Sequence, residues 1–213
     1  MLVVSPNFFY TMGTRLLAGP AYALLRPQFP ALRKAALDSV AGLPDVPRRI
    51  LVMMGGTDPT GSAGTVARAC LAAFPEASVD VVLPGVMPDT AQPRTVGRLT
   101  ELPRLQDVAP RMLEADLVVT AAGSTVWEVC ALARPAAALE VAGNQSDVYG
   151  RLVAGRLVLG LGRVPVDEAG VVAVLRSLAE APGELRRLAS AASRLVDGQG
   201  ADRVLEETAE GNP

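Results

Sequence analysis

From Arg49 onward the chain alternates short runs of Val, Leu, Ile and Ala with stretches whose apolar residues recur at i, i+3, i+4 and i+7. Alternation on that scale is the signature of βαβ units, and therefore of an α/β domain built on a parallel sheet. Six strands are predicted, over residues 50–54, 79–83, 96–100, 117–120, 137–141 and 157–160. Between them Ala63, Val66, Ala67, Cys70, Leu71 and Phe74 mark one amphipathic helix, and Val126, Val129, Cys130 and Ala133 mark another. A shorter helix is predicted over 106–114, two more over 165–180 and 183–196 with Pro182-Gly183 as the break, and a closing one over 201–208. Residues 211–213 are expected to fray.

The stretch before Arg49 behaves differently. Pro6, Pro20, Pro27, Pro30, Pro44 and Pro47 punctuate it, and one helix, over 29–40, is predicted within it. The expected organisation is a lead-in or interdomain linker over 1–48 and a folded ligand-binding domain over 49–210. Few aromatics (4%) and many small aliphatics suit thin strands under small-residue helices better than an all-β sandwich.

Charge and side-chain chemistry exclude several functions. With 20 Lys+Arg against 22 Asp+Glu, the chain lacks the basic excess that a phosphate backbone demands, so nucleic acid is not expected as a partner. There is no histidine, which removes the usual zinc and haem sites and any Ser-His-Asp or Cys-His mechanism. Cys70 and Cys130 lie far apart in helical patterns and read as two buried thiols of a reducing compartment. No apolar run has the ~18 residues of a membrane span. The first residues carry no basic leader, and the expected location is the cytoplasm.

In an open parallel sheet ligands bind beyond the carboxyl ends of the strands, and three loops there are unusual. Gly55-Gly56-Thr57-Asp58-Pro59 follows the first predicted strand. It reads either as a tight turn with Asp58 as N-cap and Pro59 at the first helical position, or as a backbone cradle for a phosphate. It is no Walker loop, because Ser62 stands where the lysine belongs, and no G-x-G-x-x-G fingerprint exists elsewhere. The second loop, Ala121-Ala122-Gly123-Ser124, opens a helix in which Thr125 and Glu128 have capping-box spacing. Spacing alone favours the cap; as the alternative, Glu128 accepts the two hydroxyls of a ribose, and Trp127 beside it reads as core. The third, Gly143-Asn144-Gln145-Ser146-Asp147, offers Asn144 as an N-cap and the Gln145 amide to a sugar. Three helix starts on one crevice suit a diphosphate sugar, and with no Asp-x-Asp pair the phosphates are expected to rest on helix ends, with no metal and no cofactor.

Those three loops, together with the stretch 16–29 and Asp197-Gly198-Gln199-Gly200-Ala201-Asp202-Arg203, resemble the carboxyl-terminal half of one family. It is the group of the pseudaminic-acid-pathway UDP-sugar hydrolases and spore-coat polysaccharide proteins. That group is similar to the peptidoglycan lipid-intermediate N-acetylglucosaminyltransferase in its two-domain GT-B fold. The resemblance runs from about Leu16 to the end of the chain. It implies a Rossmann-like parallel sheet of six strands with helices on both faces, binding the UDP part of a nucleotide sugar. Gly55, Gly56 and Thr57, and Gly123, Ser124 and Thr125, would lie against the diphosphate. Glu128 would hold the ribose diol, in place of the capping role. Asn144 and Gln145 would face the sugar, and Leu102, in the turn Glu101-Leu102-Pro103, would offer its backbone to uracil. The implied activity is cleavage of a UDP-sugar at its anomeric carbon, with transfer to an acceptor or simple binding as alternatives. The family's amino-terminal half, with its glycine-rich loop and water-activating histidine, has no counterpart here, so a partner domain or chain is expected and the chain alone is expected to be inactive. No catalytic residue is assigned; Asp58 lies near the crevice, but capping is its expected job.

Overall fold

The computed structural model describes residues 2–5, 15–83 and 92–209. The expected fraying at 211–213 and residues 1 and 6–14 of the expected lead-in lie outside these residues. Two short strands, β1 (Leu2–Ser5) and β2 (Arg15–Ala18), pair in parallel apart from the main sheet. A 3-10 turn at Pro20–Tyr22 and helix α1 (Gln28–Ser39) follow. Then come β3 (Arg49–Met53), α2 (Ser62–Ala73) and β4 (Ser78–Val82). After them come β5 (Arg94–Val96), β6 (Leu99–Leu102), α3 (Ala109–Glu114) and β7 (Leu117–Ala121). The remainder is α4 (Thr125–Ala131), β8 (Ala136–Glu140), α5 (Ser146–Ala154), β9 (Leu159–Arg163), α6 (Glu168–Ala179), α7 (Glu184–Leu195) and α8 (Gly200–Ala209).

Among the described residues the main sheet has seven strands, in the order β5-β6-β4-β3-β7-β8-β9, and all neighbours are parallel except the antiparallel pair β5 and β6. Six strands, all parallel, were expected. The difference lies at 96–100, where the alternating pattern runs across a turn: Gly97 has φ +60°, so the chain reverses between Val96 and Leu99 and one predicted strand becomes a hairpin. Thr95 and Thr100, opposite each other, share a hydroxyl bond of 3.1 Å.

Alternate strand residues feed two cores. Ile50 and Val52 of β3, Val79 and Val81 of β4, and Leu117 and Val119 of β7 meet Val66, Ala67 and Cys70 of α2 and Leu175 of α6 on one face. Leu51, Val118 and Ala138 point the other way, to Trp127 of α4, Met112 of α3, Leu152 of α5, and Phe29 and Ala36 of α1. Helices therefore cover both faces. The alanines of β8 and α2 keep the two layers close, as their composition suggested.

The segment ahead of β3 is tied into this core. Arg33 of α1 donates to the carbonyls of Ala131 and Ser193, both at 2.7 Å. Buried Arg134 gathers the carbonyls of Ala36 and Leu113 and the Ser39 hydroxyl with one guanidinium. Asp116 accepts from the N–H groups of Arg48 and Arg49, fixing where β3 begins. At the other end of the chain, Arg203 pairs with Asp197 and donates to Ala21, and Gly200 lies directly against the Tyr22–Ala23 backbone.

The two outer edges are short or broken. Every residue of β5 is exposed, and β9 carries an irregularity between the partners of Ala138 and Glu140, with Gly162 at φ +95°.

Candidate functional site

Chain direction places the crevice. After β3 the strands add outward through β4 to β6, and the chain then crosses back to lay β7 on the other side of β3. The loops leaving β3 and β7 diverge at this reversal, which leaves a gap beyond the carboxyl ends of the strands. A cleft of about 240 Å³ occupies it. Gly55, Gly56, Ser124, Thr125 and Glu128 line it, with Val82, Leu83, Leu105 and Val108 as apolar wall and Arg26 and Arg104 as its cations.

The loop after β3 differs from its local reading. Helix α2 starts at Ser62, with Gly61 at φ +63° as the residue before it, so Pro59 is not the first helical position. Asp58 still caps the helix, but from four residues ahead. Its carboxylate accepts from Ser62 N and Ala63 N, each at 3.0 Å, and from the Ser62 hydroxyl at 3.2 Å. The added residues form a loop in which Asp58 sits buried at φ +38°. Gly55, at φ +77°, adopts a backbone that other residues resist, and nothing lies within 4 Å of where its Cβ would be. Gly56 is equally open on that side. Thr57 is exposed and does not line the cleft.

The loop after β7 replaces the expected capping box. Ser124 precedes α4, makes no side-chain cap, and leaves Glu128 free of the N-terminal backbone. The Glu128 carboxylate turns instead to Arg26, whose Nε and Nη2 reach Oε1 at 3.2 and 3.1 Å. Burial pushes the Glu128 carboxyl above its ordinary range, and the charge and hydrogen bond of Arg26 oppose that without cancelling it.

The third loop lies beside the cleft. Gly143–Gln145 is a 3-10 turn, so Asn144 does not cap α5; it is exposed, and Gln145 is the residue before the helix. The Gln145 Oε1 accepts from Val141 N at 3.0 Å, and its Nε2 lies over Gly123. That position brings the third loop up against the second. Leu102 ends β6 with its side chain buried and its carbonyl accepting from Leu83 N at 2.9 Å. The residues of that turn which line the cleft are Arg104 and Leu105.

The structure thus joins Gly55, Gly56, Ser124, Thr125 and Glu128 in one cleft, seats Gly123 and Gln145 next to each other, and leaves those two with Thr57, Leu102 and Asn144 off its wall. It adds Arg26 and Arg104, to which sequence reasoning gave no role. Arg104 directly follows the turn Glu101-Leu102-Pro103, and Arg26 lies within the stretch 16–29, so a basic residue in or beside each was the available signal. Both cysteines are free and buried, and burial pushes each thiol up to about 12. Among the described residues no cluster of three His, Cys, Asp or Glu is placed to hold a metal, and no helix is long and apolar enough to cross a membrane.

No family model matches the chain. It is similar to the spore coat polysaccharide biosynthesis protein SpsG of Bacillus subtilis (strain 168), with 28% identity over 206 residues, covering 92% of this chain and 58% of that protein. Among solved structures it resembles MurG of Acinetobacter baumannii, with TM-score 0.61 and 17% identity over 96% of this chain and 59% of that one. It also resembles Arabidopsis thaliana UGT89C1 complexed with UDP-L-rhamnose, with TM-score 0.51 and 18% identity, covering 84% of this chain and 46% of that one. The chain therefore has the α/β architecture of GT-B glycosyltransferases, and it spans little more than half the length of the SpsG and MurG proteins it matches.

Proposed function

We propose that the cleft binds the UDP part of a nucleotide sugar, and that the chain is the donor-nucleotide domain of a nucleotide-sugar hydrolase in nonulosonic-acid or surface-polysaccharide biosynthesis. The observation that carries this reading is the meeting of two open-backbone loops with one half-buried carboxylate at the reversal of strand order. Gly55 and Gly56 let a diphosphate approach the main chain, and Ser124 and Thr125 face it with hydroxyls. Thr57 and Gly123 border the same phosphates. Glu128 accepts the ribose hydroxyls, and the apolar wall of Val82, Leu83, Leu105 and Val108 suits the flat face of uracil, next to the backbone of the Leu102 turn. Asn144 and Gln145 take the sugar side. The similarity to SpsG supports a role in polysaccharide biosynthesis, and the bound UDP-L-rhamnose named for UGT89C1 supports a UDP-sugar as the ligand of this fold.

In this reading the domain holds UDP as the bond to the anomeric carbon breaks. Helix starts and open amides, not a divalent metal, receive the charge of the departing diphosphate. The water-activating base belongs to an amino-terminal partner half, and the chain acts from the cytoplasm on a soluble donor. Transfer to an acceptor is the second reading, favoured by the likeness to glycosyltransferases. Product analysis of the reconstituted pair with and without acceptor separates the two.

The first test is a thermal-shift titration with UDP against CMP, ADP and NAD. A ligand at ~100 times its dissociation constant stabilises the fold by about 2.7 kcal/mol, which in a domain of this size raises the midpoint by about 5–10 °C. A UDP-selective shift that Glu128→Ala abolishes is expected. No shift with UDP, or an equal shift in Glu128→Ala, refutes the assignment.

A further inference from the structure

Arg26 comes from outside the loops that build the cleft, 102 residues from its partner Glu128. It is held on three sides. Its Nη1 donates to the Gln106 carbonyl at 3.3 Å, its guanidinium stacks 5.1 Å over the ring of buried Phe29, and its Nε and Nη2 both converge on Glu128 Oε1. The hydrogen bond and the ion pair to Glu128 both fall on Oε1. A guanidinium that hydrogen-bonds one carboxylate oxygen through Nε, with Nη2 close to the same oxygen, holds the carboxylate plane from that side and directs the other oxygen to a different acceptor role.

We propose that Arg26 is a positioning residue that holds Glu128 by Oε1 and so turns its carboxylate to the hydroxyls of a nucleoside diol. The inference rests on the UDP reading of the cleft. The lock is needed because the site is partly desolvated: the Glu128 side chain is 18% exposed and that of Arg26 44%. Without a cation a carboxyl so placed takes up a proton more readily, and a protonated carboxyl has one acceptor fewer to offer two hydroxyls.

Of the other charges on the elements packed around Glu128, most are engaged elsewhere. Arg104 also lines the cleft. Arg33 of α1 is spent on the Ala131 and Ser193 carbonyls, and Arg111 of α3 pairs with Asp80. Arg187 and Glu184 of α7 pair with each other, Arg186 pairs with Asp45, and Asp107 accepts from Ala109 N. Arg26 is thus the cation that is hydrogen-bonded and ion-paired to Glu128.

The test uses the full chain and the variants Arg26→Gln and Arg26→Lys, with two readouts. Carboxyl carbon NMR follows the titration of Glu128 in the free protein, its signal identified by loss in Glu128→Gln. Calorimetry follows UDP affinity between about pH 5.5 and about pH 8. The expected result is a Glu128 midpoint that moves upward in Arg26→Gln and returns most of the way in Arg26→Lys. UDP affinity should fall about tenfold or more on acidification in Arg26→Gln, and no more than about threefold in the wild type. An unchanged Glu128 midpoint in Arg26→Gln overturns the proposal. So does a UDP loss in Arg26→Gln that is the same at every pH, which would mean that Arg26 touches the nucleotide directly. A wild type that binds no UDP, with the midpoint nevertheless moved, refutes the nucleotide reading and the diol with it, and is distinguishable because the free-protein titration still reports the Arg26–Glu128 coupling.

Discussion

Replacing Asp58 by alanine tests the loop that separates β3 from α2. The Asp58 carboxylate takes two backbone N–H groups at 3.0 Å and one hydroxyl at 3.2 Å, in a residue only 8% exposed. Losing an N-cap costs about 1–2 kcal/mol, and the upper value applies because both first-turn amides depend on one side chain. Alanine must also hold φ +38°, a region that Asp tolerates and Ala resists, for a further cost of about 1 kcal/mol. Asp58→Ala should therefore lose about 3 kcal/mol, or a fall of about 6–12 °C in melting midpoint. Asp58→Gly separates the two parts, since glycine relieves the dihedral cost and keeps the lost cap. Asp58→Asn retains one acceptor oxygen and should lose about 1 kcal/mol. Urea unfolding measures all three, with the midpoint moving at constant slope. An Asp58→Ala loss under about 0.5 kcal/mol would refute the reasoning and return the helix start to Asp58-Pro59, where solvent could replace the cap. The same variant should weaken UDP, because Gly55 and Gly56 precede the loop that Asp58 braces.

Gly200→Ala would place a Cβ 2.3 Å from Ala23 O and 2.8 Å from Ala23 N and Tyr22 C, all backbone atoms. Helix α8 must then move off the Pro20–Tyr22 turn, at a cost of about 1–3 kcal/mol, and hydrogen exchange over 200–209 should speed up; unchanged protection would contradict the contact. The hydrogen bond from Arg203 holds Asp197 down at about 2, against an ordinary 3.8. A depressed carboxyl stabilises the fold above its unfolded value, and that contribution is lost as pH falls from about 3.8 through about 2. Asp197→Asn should accordingly lower the urea midpoint near neutral pH and converge with the wild type near pH 2; a constant gap at all pH would be inconsistent with the ion pair. Cys70 and Cys130, with thiols pushed up to about 12, should resist alkylation at neutral pH until the chain unfolds, and labelling of the native protein would show that one of them is reachable.

The central strands and the helices on both faces were legible because their periods are local. Ile50, Leu51 and Val52 serve two cores in turn, and the α2 residues sit on one stripe. The misses occurred where a backbone reversal hid inside an apolar pattern. The pattern predicts a strand over 157–160, yet β9 begins at Leu159. Leu157 N closes back on Leu152 O and Arg156 N on Val153 O, with Arg156 at φ +54°, so α5 ends in a Schellman turn that carries arginine where glycine usually announces it. The hairpin at Gly97 was hidden in the same way. Of the cleft, the residues that directly follow strands were readable: Gly55, Gly56, Ser124, Thr125 and Glu128. Arg26 was not, because nothing in a local window links it to a carboxylate 102 residues on.

The two edges of the sheet bear on how these chains meet one another at high concentration. An open sheet ends in rows of unpaired amides and carbonyls, and half of this chain's residues are hydrophobic, a combination that invites strand-to-strand stacking into fibres. Here one edge is the three-residue β5, set antiparallel and carrying Arg94 in an ion pair with Glu101. The other, β9, is interrupted beside Glu140, bent at Gly162 and closed by Arg163. Neither edge offers a long straight template, so a second copy finds little to lengthen the sheet with. The irregular rims of the fold thus act as a guard against aggregation, a task separate from anything performed in its cleft.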